Sequence, residues 1–302
     1  MKTDLKPELV TMSDEKTSLM EPTEAWHTFT EWSDTGVGLT WKITRMLESV
    51  KTEYQQIDLY ETEGDGKLLV HDGAVMLTER FESQYHDALV HSAMLISPNP
   101  RRVLVIGGGD GGTLREVLRH PEVEVACQVE IDDEVVRIAK EYLPTMAKAY
   151  DDPRVDLVIG DGLAYVRDTE PDSWDVILVD STDPVGPAVP LFEEPFYNDI
   201  KRALTEDGVM ASQIADPTFH NDHLVTVIKR LEKIFPQARP YTAPVQMYPS
   251  GVWGFALVSK GPDLDTVDDE RAMVIERDSK HWSRETHASS FGMPNWLRRK
   301  LL

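Results

Sequence analysis

The 302-residue sequence contains a single cysteine, Cys127. That excludes a disulfide framework and any zinc site built on several thiolates. Basic residues are scarce: 31 Lys and Arg stand against 53 Asp and Glu, a formal net charge of −22. Such a surface repels nucleic acid and anionic membranes, so neither is expected as a partner. It admits a cationic one, although its simplest meaning is an acidic, well-solvated exterior. No apolar run approaches the roughly 18 residues needed to span a bilayer. The opening MKTDLKPELVTM lacks the apolar core of a signal peptide, so the cytoplasm is the expected compartment. The hydrophobic content of 41% is ordinary for a folded chain, and the length gives a prior of about two domains.

Residues 1–24 are polar, lack periodicity and carry Pro7 and Pro22, so they read as a loosely ordered tail. Over residues 25–95 the segments WHTFTEW, LTWKI, YQQIDLYET, KLLVHDG and AVMLTE are short, β-branched or aromatic, and punctuated by turn residues. They predict a small antiparallel β-domain. Tyr85–Leu95 shows helical spacing, and Ser97-Pro98-Asn99-Pro100 forms a connector. Over residues 96–302 strand and helix patterns alternate, with RVLVI, VEVACQVE, VDLVIG, WDVILVD and GVMASQI as buried strands. YTAPVQM and VWGFALVSK read as a closing antiparallel pair. This rhythm predicts a doubly wound α/β sheet of the Rossmann type, whose ligands bind at the carboxyl ends of the strands.

The chemistry-bearing residues fall at those strand ends. Gly107, Gly109 and Gly112 fit G-x-G-x-x-G between a strand and a helix, where backbone can approach a ligand closely. The template alone suits dinucleotide dehydrogenases and nucleoside-binding transferases equally. Glu130 ends the second strand, where a carboxylate can accept both ribose hydroxyls of a nucleoside. Asp161, in Gly160-Asp161-Gly162, suits either an adenine amino group or a helix N-cap. The fourth strand ends in Asp180-Ser181-Thr182-Asp183, two carboxylates at the centre of the sheet's edge. Asp110 sits inside the glycine loop, where it would repel a pyrophosphate and attract an ammonium or a sulfonium. That disfavours NAD and favours a cationic nucleoside.

GGGDGGTLREVLRH, QVEID, DPRV, GDG, DSTDPVGPA, LF, FY and YPSG together resemble the polyamine aminopropyltransferases, the spermidine synthases most closely. The resemblance runs from Trp26 to the C-terminus. It implies a small N-terminal antiparallel β-domain followed by a methyltransferase-like Rossmann domain. It also implies aminopropyl transfer from decarboxylated S-adenosylmethionine, a co-substrate, to an amine, with no further cofactor and no metal. On the donor it places Gln55, Gly107, Gly109, Asp110, Glu130, Asp161 and Gly162. Around the acceptor it places Tyr85, His86, Asp183, Gln213 and Tyr248, with Asp180 accepting the proton of the attacking amine. It further implies a homodimer or homotetramer assembled through the N-terminal domain.

The chemistry agrees with those roles. The donor sulfonium is already activated, whereas an alkyl ammonium with a pKa near 10 must lose a proton before it can attack. Asp110 would reject a donor that still carries its carboxylate. Two segments depart from the pattern of the family. Phe81 stands where an Asp is common, and Gln246-Met247 precede Tyr248 where Pro-Thr is common. Both flank the expected acceptor channel and so leave the acceptor amine open: putrescine is the first expectation from the family, with agmatine, cadaverine or a longer polyamine as alternatives. A methyltransferase, a dinucleotide dehydrogenase and a non-catalytic polyamine-binding protein are the competing classes.

Overall fold

The structure is a computed structural model that describes residues 27–302. The tail expected over 1–24, and Trp26, lie outside the described residues. The N-terminal unit is a five-stranded antiparallel meander of β1 (His27–Trp32), β2 (Gly38–Lys51), β3 (Gln56–Thr62), β4 (Lys67–His71) and β5 (Ala74–Thr78), ordered as in the chain. In β3, Ile57 and Leu59 are fully buried while Asp58 and Tyr60 are only partly so, the period of two of a half-buried strand. The β4–β5 hairpin turns on Asp72 and Gly73, at φ +48° and +87°, the two left-handed positions that a tight hairpin requires.

Helix α1 (Glu82–Met94) follows, and twelve of its thirteen residues are buried. A helix covered on all sides lies between layers rather than on a surface. It stands on the N-terminal side of the boundary expected after residue 95, and it packs on α2, β9 and β10.

The second unit runs β6 (Arg102–Gly107), α2 (Gly112–Val117), β7 (Val125–Glu130), α3 (Asp133–Tyr142), α4 (Pro144–Ala147), β8 (Val155–Ile159), α5 (Gly162–Asp168), β9 (Trp174–Asp180), α6 (Glu194–Ala203), β10 (Leu204–Ala215) and α7 (Asn221–Ile234). It closes with β11 (Gln237–Pro244), β12 (Val252–Ser259), α8 (Asp269–Asp278), α9 (Arg284–Ser290) and α10 (Asn295–Leu301). The sheet order is β11-β12-β10-β9-β6-β7-β8. The five strands from β6 to β10 are parallel, and β12 runs antiparallel to both β10 and β11. This is the seven-stranded Rossmann-like sheet that the alternation predicted, closed by the antiparallel pair. No described helix is long and apolar enough to cross a membrane.

Alternate residues of each strand feed two cores. Val103 and Val105 of β6 join a core shared with α1 and the N-terminal sheet, whereas Leu104 and Ile106 face the opposite core with α6, α7 and α10. The first core is continuous across both sheets, so the seam between them is a fixed wall. The chain order of the strands reverses between β6 and β9, which opens a crevice above their carboxyl ends.

At that crevice Gly107 pairs with Asp180, and the amide of Gly108 donates to the Asp180 carbonyl at 2.9 Å. Gly107 has φ +82°, and a Cβ there would lie 2.2 Å from the Asp180 carbonyl oxygen. Gly107→Ala is therefore expected to lose stability, by about 1–3 kcal/mol from backbone strain alone. Urea unfolding checks this, and an unchanged midpoint would contradict the close approach.

Candidate active site

The crevice is a cleft of about 400 Å³. Its floor is the glycine loop and the ends of β6, β7, β8 and β9, and one wall is β4 and β5. The loop after β9, Ser181–Ala188, covers it. Among the described residues no Lys or Arg lines it, and the His86 imidazole is already paired with Glu82 and Asp110, so no uncommitted cation there compensates a phosphate. Every site residue expected from the sequence lines this cleft except Gln213.

On one side stand the groups expected to hold a nucleoside. Glu130 is buried at the end of β7, where its two oxygens accept the amides of Gly109 and Asp132, both at 3.0 Å. Burial pushes its carboxyl up to about 7, although those N–H bonds oppose the rise. Gln55 comes from the β2–β3 turn and donates to Asp132 at 3.0 Å, beside Thr52 at 2.8 Å. Asp132 in turn caps α3, so one carboxylate ties the N-terminal sheet to the nucleoside side. Asp161 accepts the Leu163 amide at 2.9 Å and caps α5. It thus serves as the N-cap at a position that also lines the cleft. Tyr150 donates to the Gly109 carbonyl at 2.9 Å and pins the loop.

On the other side Asp180 ends β9. The Tyr85 hydroxyl donates to one of its oxygens at 2.7 Å and the Thr113 hydroxyl to the other at 2.6 Å. Burial, then the charge of Asp110, pushes the Asp180 carboxyl above its ordinary range, while His86 and the two hydroxyls hold it back. Asp110 accepts the Gly112 amide at 2.7 Å and lies 3.3 Å from Nε2 of His86. Nδ1 of His86 lies 2.7 Å from Glu82, which receives Arg115 at 2.8 and 3.0 Å. Burial alone would discharge the imidazole, but Asp110 and Glu82 outweigh it and hold His86 protonated well above 6.5. Burial would likewise raise Glu82, but His86 and Arg115 hold it down at about 2. The spacing is tight: a Cβ on Gly112 would meet the His86 ring at 2.2 Å.

Asp183 is pushed up to about 6 by burial, with Asp216 adding and His220 opposing. Glu31 of β1 is pushed up to about 7 by burial, and the charge of Asp183 adds to this against a bond from the Val75 amide. Sequence reasoning missed Glu31, Glu82 and Thr113. The only signal for Glu31 is an acid inside an aromatic, β-branched strand.

One expectation about the acceptor side changes. Gln213 is buried away from the cleft and donates to the carbonyls of Ser181 and Thr182, both at 3.0 Å, while accepting Trp253 at 3.1 Å. Its amide shapes the covering loop instead of facing a ligand. Tyr248 lines the cleft with its ring, but its hydroxyl donates to the Met76 carbonyl at 3.0 Å. Phe81, Gln246 and Met247 do not line the cleft. The Gln246 amide donates to Gln84 at 2.8 Å, the Thr78 amide reaches the Met247 sulfur at 3.4 Å, and Arg80 covers the Phe81 ring. Gln246 therefore ties the Tyr248 loop to α1, and Met247 ties it to β5.

His86, Asp110 and Asp180 bring potential ligand atoms within 4.8 Å of one another. A protonated imidazole offers no lone pair, and both Asp180 oxygens already accept hydroxyls, so this donor set suits an organic cation better than a metal ion.

The spermine/spermidine synthase domain matches residues 82–268, and the spermidine synthase tetramerisation domain matches residues 26–79. A polyamine aminopropyltransferase of Bacillus mycoides is 45% identical over 274 residues, covering 91% of this chain and 98% of the relative. One from Thermococcus kodakarensis is 46% identical over 281 residues, covering 90% and 96%. The crystal structure of a spermidine synthase in complex with the transition state analogue AdoDATO superposes with a TM-score of 0.88 at 39% identity, covering 91% of this chain and 94% of that one. The spermidine synthase of Thermotoga maritima gives 0.85 at 38%, with the same coverage.

The Glu82 contacts carry a prediction with a definite pH sign. A carboxylate held at about 2 contributes stability that is present above its ordinary 4.5 and is lost as the pH falls through about 2. Glu82→Gln leaves Arg115 and His86 short of a buried anion, a loss of about 3 kcal/mol at pH 7. In urea unfolding the gap from wild type is expected to shrink below pH 4.5; a gap independent of pH would contradict the ion pair.

Proposed function

The chain belongs to the spermine/spermidine synthase family and is an aminopropyltransferase, and from that premise we propose that it makes spermidine and methylthioadenosine from putrescine and decarboxylated S-adenosylmethionine. The observation that carries this reading is a half-buried, doubly hydrogen-bonded Asp180 beside Asp110 in a cleft without a lining Lys or Arg. Two organic cations have their counter-charges there and an anionic cofactor has none.

In this reading Glu130 and Gln55 hold the ribose side of the donor, and Asp161 with Gly162 holds the adenine. Gly107 and Gly109 let the donor approach the loop backbone. Asp110 receives the ammonium of the aminopropyl arm and disfavours a donor that retains its carboxylate. His86, kept charged by Glu82, orients Asp110 through Nε2. The acceptor enters beneath the loop after β9. Releasing a proton from an ammonium of pKa near 10 at pH 7 costs about 4 kcal/mol. Asp180, desolvated and fixed by Tyr85 and Thr113, takes that proton. The freed amine attacks the methylene carbon attached to sulfur, the C–S bond breaks, and its electron pair leaves on the neutral thioether. Tyr85 and Tyr248 line the acceptor's path, and in-line alignment supplies much of the rate.

Putrescine is the preferred acceptor in this reading, with Asp183, which lines the cleft, as the acid for its second ammonium. No cofactor beyond the donor enters the reaction. The reading includes a homo-oligomer, dimer or tetramer, built on the N-terminal sheet, where Trp32 and Met46 expose 67% and 54% of their surface.

An amine panel assayed with decarboxylated donor, on wild type and Asp180→Asn, tests both parts. Putrescine is expected to give the highest kcat/KM, ahead of agmatine, cadaverine and spermidine. Asp180→Asn is expected to lower kcat by about 10²–10⁴-fold with donor binding retained. Near-normal turnover of the variant would remove Asp180 as the base, and preference for another amine would replace putrescine.

A further inference from the structure

We propose that His71 is a specificity-determining residue for the cationic half of the donor, the sulfonium with its aminopropyl ammonium, which it meets through a ring-nitrogen lone pair. This assignment presupposes that the cleft takes a sulfonium donor. His71 is the last residue of β4 and lines the cleft wall with Leu69 and Met76. Only 9% of its surface is exposed, and neither ring nitrogen has a hydrogen-bond partner in the protein. The neighbouring polar groups of the cleft are already engaged: Asp180 by Tyr85 and Thr113, His86 by Glu82 and Asp110, Glu130 by two amides, Gln55 by Asp132. A buried polar ring without a partner is disfavoured unless something entering the cleft completes it.

The ring's surroundings indicate which part of a ligand that is. The carboxylates of Asp110, Asp132 and Asp72 favour an imidazolium, yet burial dominates and the pKa falls to about 4, so the ring is neutral and carries a free lone pair. A lone pair in a field of three carboxylates receives a cation. The adenosine half already has Glu130 and Asp161 at the ends of β7 and β8. His71 comes from the opposite wall, where its strongest charged neighbour is Asp110, the residue placed on the aminopropyl ammonium. Its β3 partner is Ile57, two positions from Gln55, so the strand pairing fixes the ring beside the donor.

Binding of decarboxylated S-adenosylmethionine, without acceptor amine, is compared with binding of methylthioadenosine, which lacks both the charge and the arm. His71→Leu is expected to weaken the charged donor about tenfold and methylthioadenosine less than about twofold, with His71→Gln recovering most of the loss. In the wild-type protein the unprotonated ring nitrogen of His71 is expected to shift in ¹⁵N NMR when the charged donor binds, and not with methylthioadenosine. That readout holds even if the Leu variant fails to fold. Equal weakening of both ligands, or no change in either, would overturn the assignment while leaving aminopropyl transfer intact. A wild-type protein that forms no methylthioadenosine with any amine would overturn the underlying reading instead.

Discussion

The active cleft depends on one close approach, the glycine loop lying against the backbone of Asp180. Because Gly107 has no side chain and a left-handed backbone, β6 and β9 stay paired up to their last residues. The Asp180 carboxylate therefore emerges at the switch point rather than beyond it, within reach of Tyr85 from α1 and Thr113 from α2. Any bulk at Gly107 would move the strand end, and both hydroxyl contacts would go with it. The loop is held from its other side as well, since Gln128 donates to the carbonyls of Gly107 and Gly108 at 2.7 and 2.6 Å.

A second constraint is electrostatic. The cleft gathers carboxylates, and their mutual repulsion together with burial raises Asp180, Asp183 and Glu130. One imidazolium and one guanidinium on buried helices offset part of this: His86 bridges Asp110 and Glu82, and Arg115 closes the chain behind them. Arg115 stands behind the lining, and His86, which does line the cleft, has both ring nitrogens committed to Glu82 and Asp110, so the two lower the repulsion without competing with an amine for the cleft. The surface charge of the protein has little part in this arrangement. Placement of a few acids at strand ends, each with a specific backbone or hydroxyl partner, gives the cleft its affinity for cations.

The strands, the switch point and the strand-end acids were legible in the sequence because they rest on local rules. Period-two burial, all-apolar parallel strands, a glycine turn before a helix and an acid after a strand all leave a linear trace. Asp161 shows the limit of that trace: the choice between cap and ligand contact was open from sequence, and in the fold it caps α5 while lining the cleft. What could not be read depends on contacts across long sequence separations. Gln213 matches an acceptor position, but the fold aims its amide at Ser181 and Thr182. Thr113 and Glu82 gain their roles only when α1 and α2 pack side by side. Phe81 and Gln246 flank the expected channel along the chain, but their contacts with Arg80 and Gln84 could not be read from it. His71 ends an ordinary apolar strand, and only the burial of both nitrogens marks it out.

The central claim is that this cleft takes two cations and removes one proton as it moves a three-carbon amine between them. The most direct measurement is product stoichiometry in weakly buffered solution at neutral pH, with decarboxylated S-adenosylmethionine and putrescine as the only reactants. The account predicts one methylthioadenosine, one aminopropylated amine and one released proton per turnover. Binding of both cations without methylthioadenosine formation, or S-adenosylhomocysteine and a methylated acceptor formed from ordinary S-adenosylmethionine, would contradict it.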